Sequence, residues 1–218
     1  MTNRNRQLYA VLIDADNIPA RHAEAILNEI TSFGEPALRR VYGDWSAGQL
    51  KAWTEAVRDL GLVAHQETAN TRGKNASDIG LVIDAMDILH TGRFDGFVLV
   101  SSDSDFTALA NRIREQGLEV IGIGETKAPE ALRNVCNRFI LIENIVEEEP
   151  PKPGKTAKAP GKRPPAEAVP LILRAMDKIQ QDDEWYGLGQ IGQVIMADVP
   201  DFDTRTYGCK NCQNLSPA

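Results

Sequence analysis

Two apolar segments of this sequence each lead into a pair of aspartates separated by one residue, and this repeated pattern constrains the fold more than any other feature. Residues 8–13 run into Asp14 and Asp16, and a second apolar segment runs through two serines into Asp103 and Asp105. Each segment has the length of a strand that is buried on both faces, and a helical pattern follows each one. Such strands are typical of parallel sheets, in which ligands bind at the carboxyl ends of the strands.

Strand-like and helix-like segments alternate along the first 146 residues, which predicts a mostly parallel sheet with right-handed crossovers. We predict strands near residues 8–14, 38–43, 62–67, 97–102, 119–123 and 139–142. We predict helices near residues 19–32, 47–60, 76–90, 105–116 and 129–135, with Asn17 as the cap of the first helix. If the first and fourth strands are neighbours, both aspartate pairs flank the point where the crossovers leave in opposite directions.

Four carboxylates at one sheet edge repel one another unless a cation lies between them, and oxygen ligands favour Mg²⁺ or Mn²⁺. Such a site is suited to metal-assisted attack on a phosphodiester. Structural roles are the alternatives for single residues: Asp16 as a cap or turn former, and Ser104 or Asp105 as the cap of the helix after the fourth strand. Ser102 and Ser104 add hydroxyl groups that are able to bond a phosphate, a water or a carboxylate.

A basic, glycine-containing loop at residues 71–75 leads into a helix with Asp78 in its first turn and Asp84 nearly two turns later. Arg72 and Lys74 in this loop are candidates for phosphate binding, and Asp78 is a candidate metal ligand. The alternatives are that Asp78 only complements the helix dipole and that Asp84 is a structural acid.

The aromatic residue Trp45 follows the end of the second predicted strand, on the same sheet edge as the acids. An aromatic ring at this position is able to stack on an unpaired base, and the alternative is that it packs within the domain. Trp53, in the helix that follows, is expected to belong to the core.

The composition, with 42% hydrophobic and 25% charged residues, is that of a globular protein. The net charge of −7 argues against a broad basic surface for nucleic acid, although it permits a local one. Three cysteines are too few for a disulfide framework. Cys209 and Cys212 have the spacing of a zinc-binding pair, but the sequence offers no second pair of ligands to complete a zinc site. Because neither a signal peptide nor a membrane segment is evident, we expect a cytoplasmic protein without membrane contact.

The composition changes after residue 146, where a second part of the chain begins. Residues 147–165 are rich in proline and lysine, which predicts a linker that is either a solvated spacer or an arm that touches RNA phosphates. Residues 166–218 form a small segment with helical spacing at 169–179 and again from Leu188. We therefore divide the chain into residues 1–146, 147–165 and 166–218.

The motifs of the first segment resemble those of the NYN domain, a branch of the PIN-like nuclease superfamily. Three motifs carry the resemblance in this order: Val-Leu-Ile-Asp-Ala-Asp-Asn at 11–17, Lys-Asn-Ala-Ser-Asp at 74–78 with an acid downstream, and Val-Leu-Val-Ser-Ser-Asp-Ser-Asp-Phe at 98–106. The resemblance implies a three-layer α/β/α sandwich with a mostly parallel central sheet and a metal-dependent ribonuclease activity. The catalytic, metal-binding acids that it implies are Asp14, Asp78, Asp103 and Asp105, with Mg²⁺ or Mn²⁺ as the cofactor. The candidate substrate-binding residues are Asn17, Arg72, Lys74, Ser102 and Trp45.

The C-terminal segment resembles an OST-HTH (LOTUS) domain, a winged-helix module linked to RNA binding and protein contacts. The resemblance rests on residues 175–176, 184–192 and 200–208. It implies a small, mainly helical, winged-helix-like module whose partner is RNA or a protein. Because the family continues after the position of Gly208 into a further helix and wing strands, we expect this module to be incomplete.

These observations lead to one expected function and two alternatives. The expected function is a metal-dependent ribonuclease that acts on single-stranded RNA or on structured RNA ends, with a C-terminal module that binds RNA or a protein. The first alternative is a non-catalytic RNA-binding adaptor on a nuclease fold. The second is a haloacid-dehalogenase-like phosphatase, in which Asp14 is a covalent nucleophile and Asp16 is the acid/base.

Overall fold

The computed structural model describes residues 6–48, 50–66, 76–146, 162–179 and 186–209. The chain divides into two compact units, residues 1–146 and residues 147–218, and each is described by itself. The predicted phosphate-binding residues Arg72 and Lys74 lie outside the described residues. None of the described helices is long and apolar enough to cross a membrane.

A six-stranded sheet forms the centre of the first unit, and its five strand pairings are all parallel. The strands are β1 (Leu8–Asp14), β2 (Glu35–Gly43), β3 (Val63–Gln66), β4 (Gly96–Val100), β5 (Glu119–Gly124) and β6 (Arg138–Leu141). Their order across the sheet is β3-β2-β1-β4-β5-β6. The predicted parallel sheet is therefore confirmed, and β1 lies beside β4, so that the carboxyl ends of the two acidic segments are neighbours.

Helices cover both faces of this sheet and make the unit a three-layer α/β/α sandwich. The helices are α1 (Ala23–Phe33), α2 (Lys51–Asp59), α3 (Ala76–His90), α4 (Thr107–Glu115) and α5 (Glu130–Val135). Side chains alternate between the two faces along β1, as expected for a strand. Val11 and Ile13 join a core with α1 and α2, whereas Ala10 and Leu12 join a second core with α3, α4 and α5.

The turn after β1 is organised by a carboxylate of the strand and not by a helix cap. α1 begins at Ala23 after a short 3-10 turn (Ala20–His22), and no side chain caps either of them. The prediction that Asn17 caps the first helix is therefore wrong. The Asp14 carboxylate accepts the backbone N–H groups of Asp16 and Asn17, because the chain turns tightly as it leaves the strand.

The second unit is helical in its described part. It contains α6 (Val169–Lys178) and α7 (Leu188–Asp198), with 3-10 turns at Pro165–Ala168 and Thr204–Tyr207. Both helices lie where the hydrophobic spacing predicts them. One small core consists of Ala175, Ile179, Ile191 and Ile195, and another consists of Ala168, Tyr207 and Cys209. Cys212 lies outside the described residues, and its interpretation stays a prediction.

Candidate metal centre

Three carboxylates converge at the carboxyl edge of the sheet. Asp78 lies in the first turn of α3, and Asp103 and Asp105 lie in the segment after β4. One oxygen of each carboxylate lies within 4.8 Å of the other two, and the side chains of Asp78 and Asp103 are half-buried while Asp105 is exposed. Within the described residues, no other group of three metal-ligating side chains comes this close together.

The donor set of this group fits a small divalent cation that prefers oxygen. Two oxygens bound to one Mg²⁺ at about 2.1 Å lie about 3 Å apart when adjacent and about 4 Å apart when opposite. Separations below 4.8 Å therefore require only small rotations of the three side chains to enclose such an ion. The group contains neither cysteine nor histidine, so its chemistry favours Mg²⁺ or Mn²⁺ over zinc.

The segment after β4 is shaped so that two of these carboxylates are presented together. Asp103 caps the 3-10 turn Ser104–Phe106, and its Oδ1 accepts the backbone N–H of Asp105 at 3.0 Å. Phe106, which is 1% exposed, anchors this turn in the core. The N-cap position of α4 is Phe106, with no side-chain cap, so the alternative that Ser104 or Asp105 caps this helix is wrong.

Asp14 lies at the end of β1 and is only 3% exposed. Its Oδ2 accepts the hydroxyl of Ser101 at 2.8 Å, and its Oδ1 accepts the backbone N–H groups of Asp16 at 3.1 Å and Asn17 at 3.2 Å. It does not complete a four-carboxylate group at the separation of the other three. Its role as a direct metal ligand stays a prediction, and its hydrogen bonds suit a residue that organises the surrounding loops.

Burial and like charge perturb the titration of both Asp14 and Asp78. Burial raises the pKa of Asp14 from an ordinary value of 3.8 to about 6, with the Ser101 hydroxyl opposing this shift and the charge of Asp78 adding to it. Burial also raises the pKa of Asp78, and the charges of Asp103 and Asp105 raise it further. Both shifts mean that negative charge is disfavoured here until a cation compensates for it. Perturbed carboxylates of this kind are typical of functional sites.

Ser101 connects the two acidic strand ends. Its hydroxyl donates to Asp14 and accepts the backbone N–H of Asp103 at 3.1 Å. The sequence pattern does not single out this residue as part of the site, and the signal that identifies it is the strand register. Ile13 and Val100 are partners in the β1–β4 pairing, so the residues that follow them are expected to be neighbours.

The hydroxyl of Ser102 has a different partner from the one expected of a substrate-binding residue. It accepts the backbone N–H of Glu125 at 2.8 Å and so braces the segment that follows β5. Ser102 is buried. Its predicted contact with substrate stays a prediction, and its observed contact supports the edge of the site.

Asp16 also belongs to this edge of the sheet. It accepts the hydroxyl of Ser77 at 2.8 Å, which ties the turn after β1 to the first turn of α3 beside Asp78. The charge of Asp16 contributes to the raised pKa of Asp78. No side chain caps the 3-10 turn or α1 after β1, so the alternative that Asp16 is a helix cap is wrong, and its role in the site stays a prediction.

Trp45 is held firmly beside the end of β3. Its indole N–H donates to the carbonyl of His65 at 2.8 Å, and its backbone N–H donates to the side chain of Gln66 at 3.0 Å. Its ring is half-buried and packs against the core beneath α1 and α2. Part of the Trp45 ring thus packs within the domain, and base stacking by this ring stays a prediction. Trp53 is buried, as expected, and donates its indole N–H to the carbonyl of Ile18.

Comparison with known proteins places the first unit in a family. The sequence model of the NYN domain matches residues 9–143, and that of the OST-HTH/LOTUS domain matches residues 163–215. No curated protein matches the chain. A crystal structure of a protein of unknown function from Vibrio parahaemolyticus is 22% identical, with a TM-score of 0.55 over 65% of this chain and 96% of that chain, which shows a likeness of fold.

A second solved structure, that of MurG from Acinetobacter baumannii, aligns over 89% of this chain and 64% of that chain, at 11% identity and a TM-score of 0.39. That similarity is too low to support any inference. The NYN match, in contrast, covers more than half of the chain and includes all three acidic motifs. The chain therefore belongs to the NYN domain family of the PIN-like nuclease superfamily.

Proposed function

We propose that the first unit is a metal-dependent ribonuclease that hydrolyses phosphodiester bonds of single-stranded RNA or of structured RNA ends. The observation that carries this proposal is the convergence of Asp78, Asp103 and Asp105 within 4.8 Å at the carboxyl edge of an NYN-family sheet. Ligands of open α/β sheets bind at this edge, beside the point where the strand order reverses. In the order β3-β2-β1-β4-β5-β6 that point lies between β1 and β4.

The proposed roles follow from the positions of the acids. Asp78, Asp103 and Asp105 hold one Mg²⁺ or Mn²⁺, and Asp14 either joins them or holds the Asp103 segment in place through Ser101. When bound, such an ion supplies a nucleophilic water at neutral pH and neutralises charge on the phosphate. Asp78 and Asp103 are half-buried and Asp105 is exposed, and one oxygen of each already lies within 4.8 Å of the other two, so binding an ion would require little reorganisation of the chain.

The substrate contacts are proposals that rest on charge and position. Arg72 and Lys74 precede α3 in the sequence and offer the positive charge that an RNA backbone needs beside four acids. Asn17 follows β1, which borders the acidic site together with β4, and Trp45 follows β2, the neighbour of β1 on its other side. We assign to Trp45 a stacked base, and to Asn17 and Ser102 polar contacts with the substrate.

The burial of Asp14 disfavours the phosphatase alternative. A covalent nucleophile must reach the phosphorus atom of its substrate, but Asp14 is 3% exposed and both of its oxygens accept hydrogen bonds within the protein. A metal ion held by the three carboxylates would supply the nucleophilic water, so such a site would need no side-chain nucleophile. The second unit, as an OST-HTH/LOTUS domain, is proposed to bind RNA or a protein partner, and the whole protein is proposed to act in the cytoplasm.

The test is cleavage of an end-labelled, single-stranded RNA in the presence of Mn²⁺, Mg²⁺ or EDTA. We expect cleavage with either metal and none with EDTA. Asp103→Asn is expected to abolish cleavage, because it removes a charged ligand, whereas Asp87→Asn, at an exposed position of α3, is expected to retain it. Retained binding of RNA with no cleavage under any condition would instead favour the non-catalytic adaptor.

A further inference from the structure

A polar anchor fastens the middle of α3 to β2. Asp84 of α3 pairs with the guanidinium of Arg40 and accepts the hydroxyl of Tyr42, and both partners lie on β2. The side chains of Arg40 and Asp84 are 27% and 20% exposed, so the pair is largely shielded from solvent. The ring of His65, on β3, stacks against that of Tyr42 with 5.2 Å between the ring centroids.

Helix geometry relates this anchor to the metal centre. Six residues separate Asp78 from Asp84, which corresponds to about 9 Å along the axis and about 120° around it. The buried Leu81 lies midway between them, so the two acids leave α3 on opposite flanks of its buried face. One flank is directed at the acids after β4, and the other is directed at β2. β4 and β2 lie on either side of β1 in the sheet.

The carboxylate of Asp78, on one flank of α3, is repelled by the neighbouring acids. One oxygen of Asp78 lies within 4.8 Å of oxygens of Asp103 and Asp105, and like charges at this separation repel one another. On the outer side of α3, Ile79 and Ile83 are 61% and 59% exposed, so the described residues contribute little packing there. The contacts that resist rotation of the helix about its axis therefore come from the sheet side.

We propose that Arg40, Tyr42 and Asp84 fix the rotation of α3 and thereby place the Asp78 carboxylate in the metal centre. These three are positioning residues, and the proposal rests on the proposed function because it presupposes that Asp78 holds a metal. Burial alone would raise the pKa of Asp84, but the hydrogen bonds from Arg40 and Tyr42 outweigh it, and the pKa is lowered. Asp84 thus stays ionised at neutral pH, and the ion pair persists under the conditions in which the site binds a cation.

Two buried tyrosines offer a matched pair of variants for the test. Tyr42 donates its hydroxyl to Asp84, and the hydroxyl of Tyr9, on the neighbouring strand β1, lies within hydrogen-bond distance of the Glu119 carboxylate and of the Gln7 side-chain oxygen. Both tyrosines are at most 1% exposed, and burial followed by the adjacent carboxylate raises the pKa of each. Tyr9 lies near the amino end of its strand, whereas Tyr42 lies near the carboxyl end of β2. Each Tyr→Phe change removes one hydrogen bond to a carboxylate and keeps the ring.

The experiment measures Mn²⁺ binding to the full chain by isothermal titration calorimetry, with thermal unfolding followed in parallel. We expect similar losses of Tm for Tyr42→Phe and Tyr9→Phe. We expect Mn²⁺ to bind about tenfold more weakly to Tyr42→Phe, the lower end of the range for residues that support a metal ligand. Tyr9→Phe is expected to bind Mn²⁺ as the wild type does.

Equal Mn²⁺ affinity of the wild type and Tyr42→Phe would overturn the anchor and leave the proposed function intact. Absence of Mn²⁺ binding by the wild type would overturn the proposed function and the anchor with it. Should Tyr42→Phe fail to fold, Asp84→Asn serves as the second variant, because asparagine still accepts the tyrosine hydroxyl while losing the charge that holds Arg40. Unchanged Mn²⁺ affinity in a folded Asp84→Asn protein would equally contradict the proposal.

Discussion

Replacing the buried Asp14 by asparagine is expected to stabilise the metal-free protein at neutral pH. Burial raises the pKa of Asp14 from 3.8 to about 6, so the folded state disfavours its charged form. At about 1.4 kcal/mol for each pH unit, this difference corresponds to a cost of about 3 kcal/mol in folding free energy above pH 6. Asparagine carries no charge, and its side-chain oxygen is still able to accept the N–H groups of Asp16 and Asn17.

The pH dependence of this effect has a definite sign. A carboxyl group whose pKa is higher in the folded state binds its proton more tightly when folded, so the wild type loses stability as the pH rises from about 4 to about 6. The variant does not titrate at this position. Its advantage is therefore absent near pH 4 and reaches a plateau above pH 6. The altered hydrogen bond with Ser101 lowers the plateau by about 1 kcal/mol, to about 2 kcal/mol.

The assay is urea unfolding of the full chain in EDTA at pH 4.5 and pH 8, with free energies extrapolated to water. Asp87→Asn, at an exposed position of α3, is the control, and its free energy of unfolding is expected to stay within about 0.5 kcal/mol of the wild type at both pH values. A variant of Asp14 that is less stable than the wild type at pH 8, or equally stabilised at both pH values, would refute the reasoning.

Two further substitutions and one control substitution test the elements that hold the site. Ser101→Ala removes the hydroxyl that lowers the pKa of Asp14. The pH range over which the metal-free protein loses stability is therefore expected to extend above about 6, measured by the same unfolding series. An unchanged pH profile would contradict the assigned hydrogen bond. Gly124→Ala places a Cβ 2.6 Å from the carbonyl oxygen of Ser101, and Gly96→Ala places one 2.7 Å from that of Glu119 at the other end of the sheet. Both variants are expected to lower the free energy of unfolding by about 1–3 kcal/mol, but only Gly124→Ala is expected to weaken Mn²⁺ binding. Equal Mn²⁺ affinities of the two variants in calorimetry would contradict a role of Gly124 in supporting the site.

The sequence predicts the sheet well because its apolar segments have few alternatives. The six strands and five helices predicted for the first unit lie close to their predicted positions. The adjacency of β1 and β4, which the sequence left as a condition, is observed in the structure. The start of β2 at Glu35, three residues before the predicted start, was missed because its first residues are polar or partly exposed and show no apolar run.

The polar details of the site were harder to predict because they depend on tertiary contacts. Asparagine is a common N-cap residue, but in this turn the Asp14 carboxylate accepts the backbone N–H groups instead. Ser101 and Ser102 are adjacent and chemically identical, and only the strand register decides which of them faces Asp14. The partner of Asp84 on β2 is 44 residues away in the chain, a separation at which local sequence patterns carry no information.

The most direct test of the metal centre is a crystal structure of the protein with Mn²⁺, collected so that the anomalous signal locates the ion. We predict a peak about 2.2 Å from one carboxylate oxygen each of Asp78, Asp103 and Asp105, and loss of this peak in Asp103→Asn crystals soaked in the same way. A peak at another position, or none at a Mn²⁺ concentration that supports RNA cleavage, would contradict the assignment of these three carboxylates as the metal ligands.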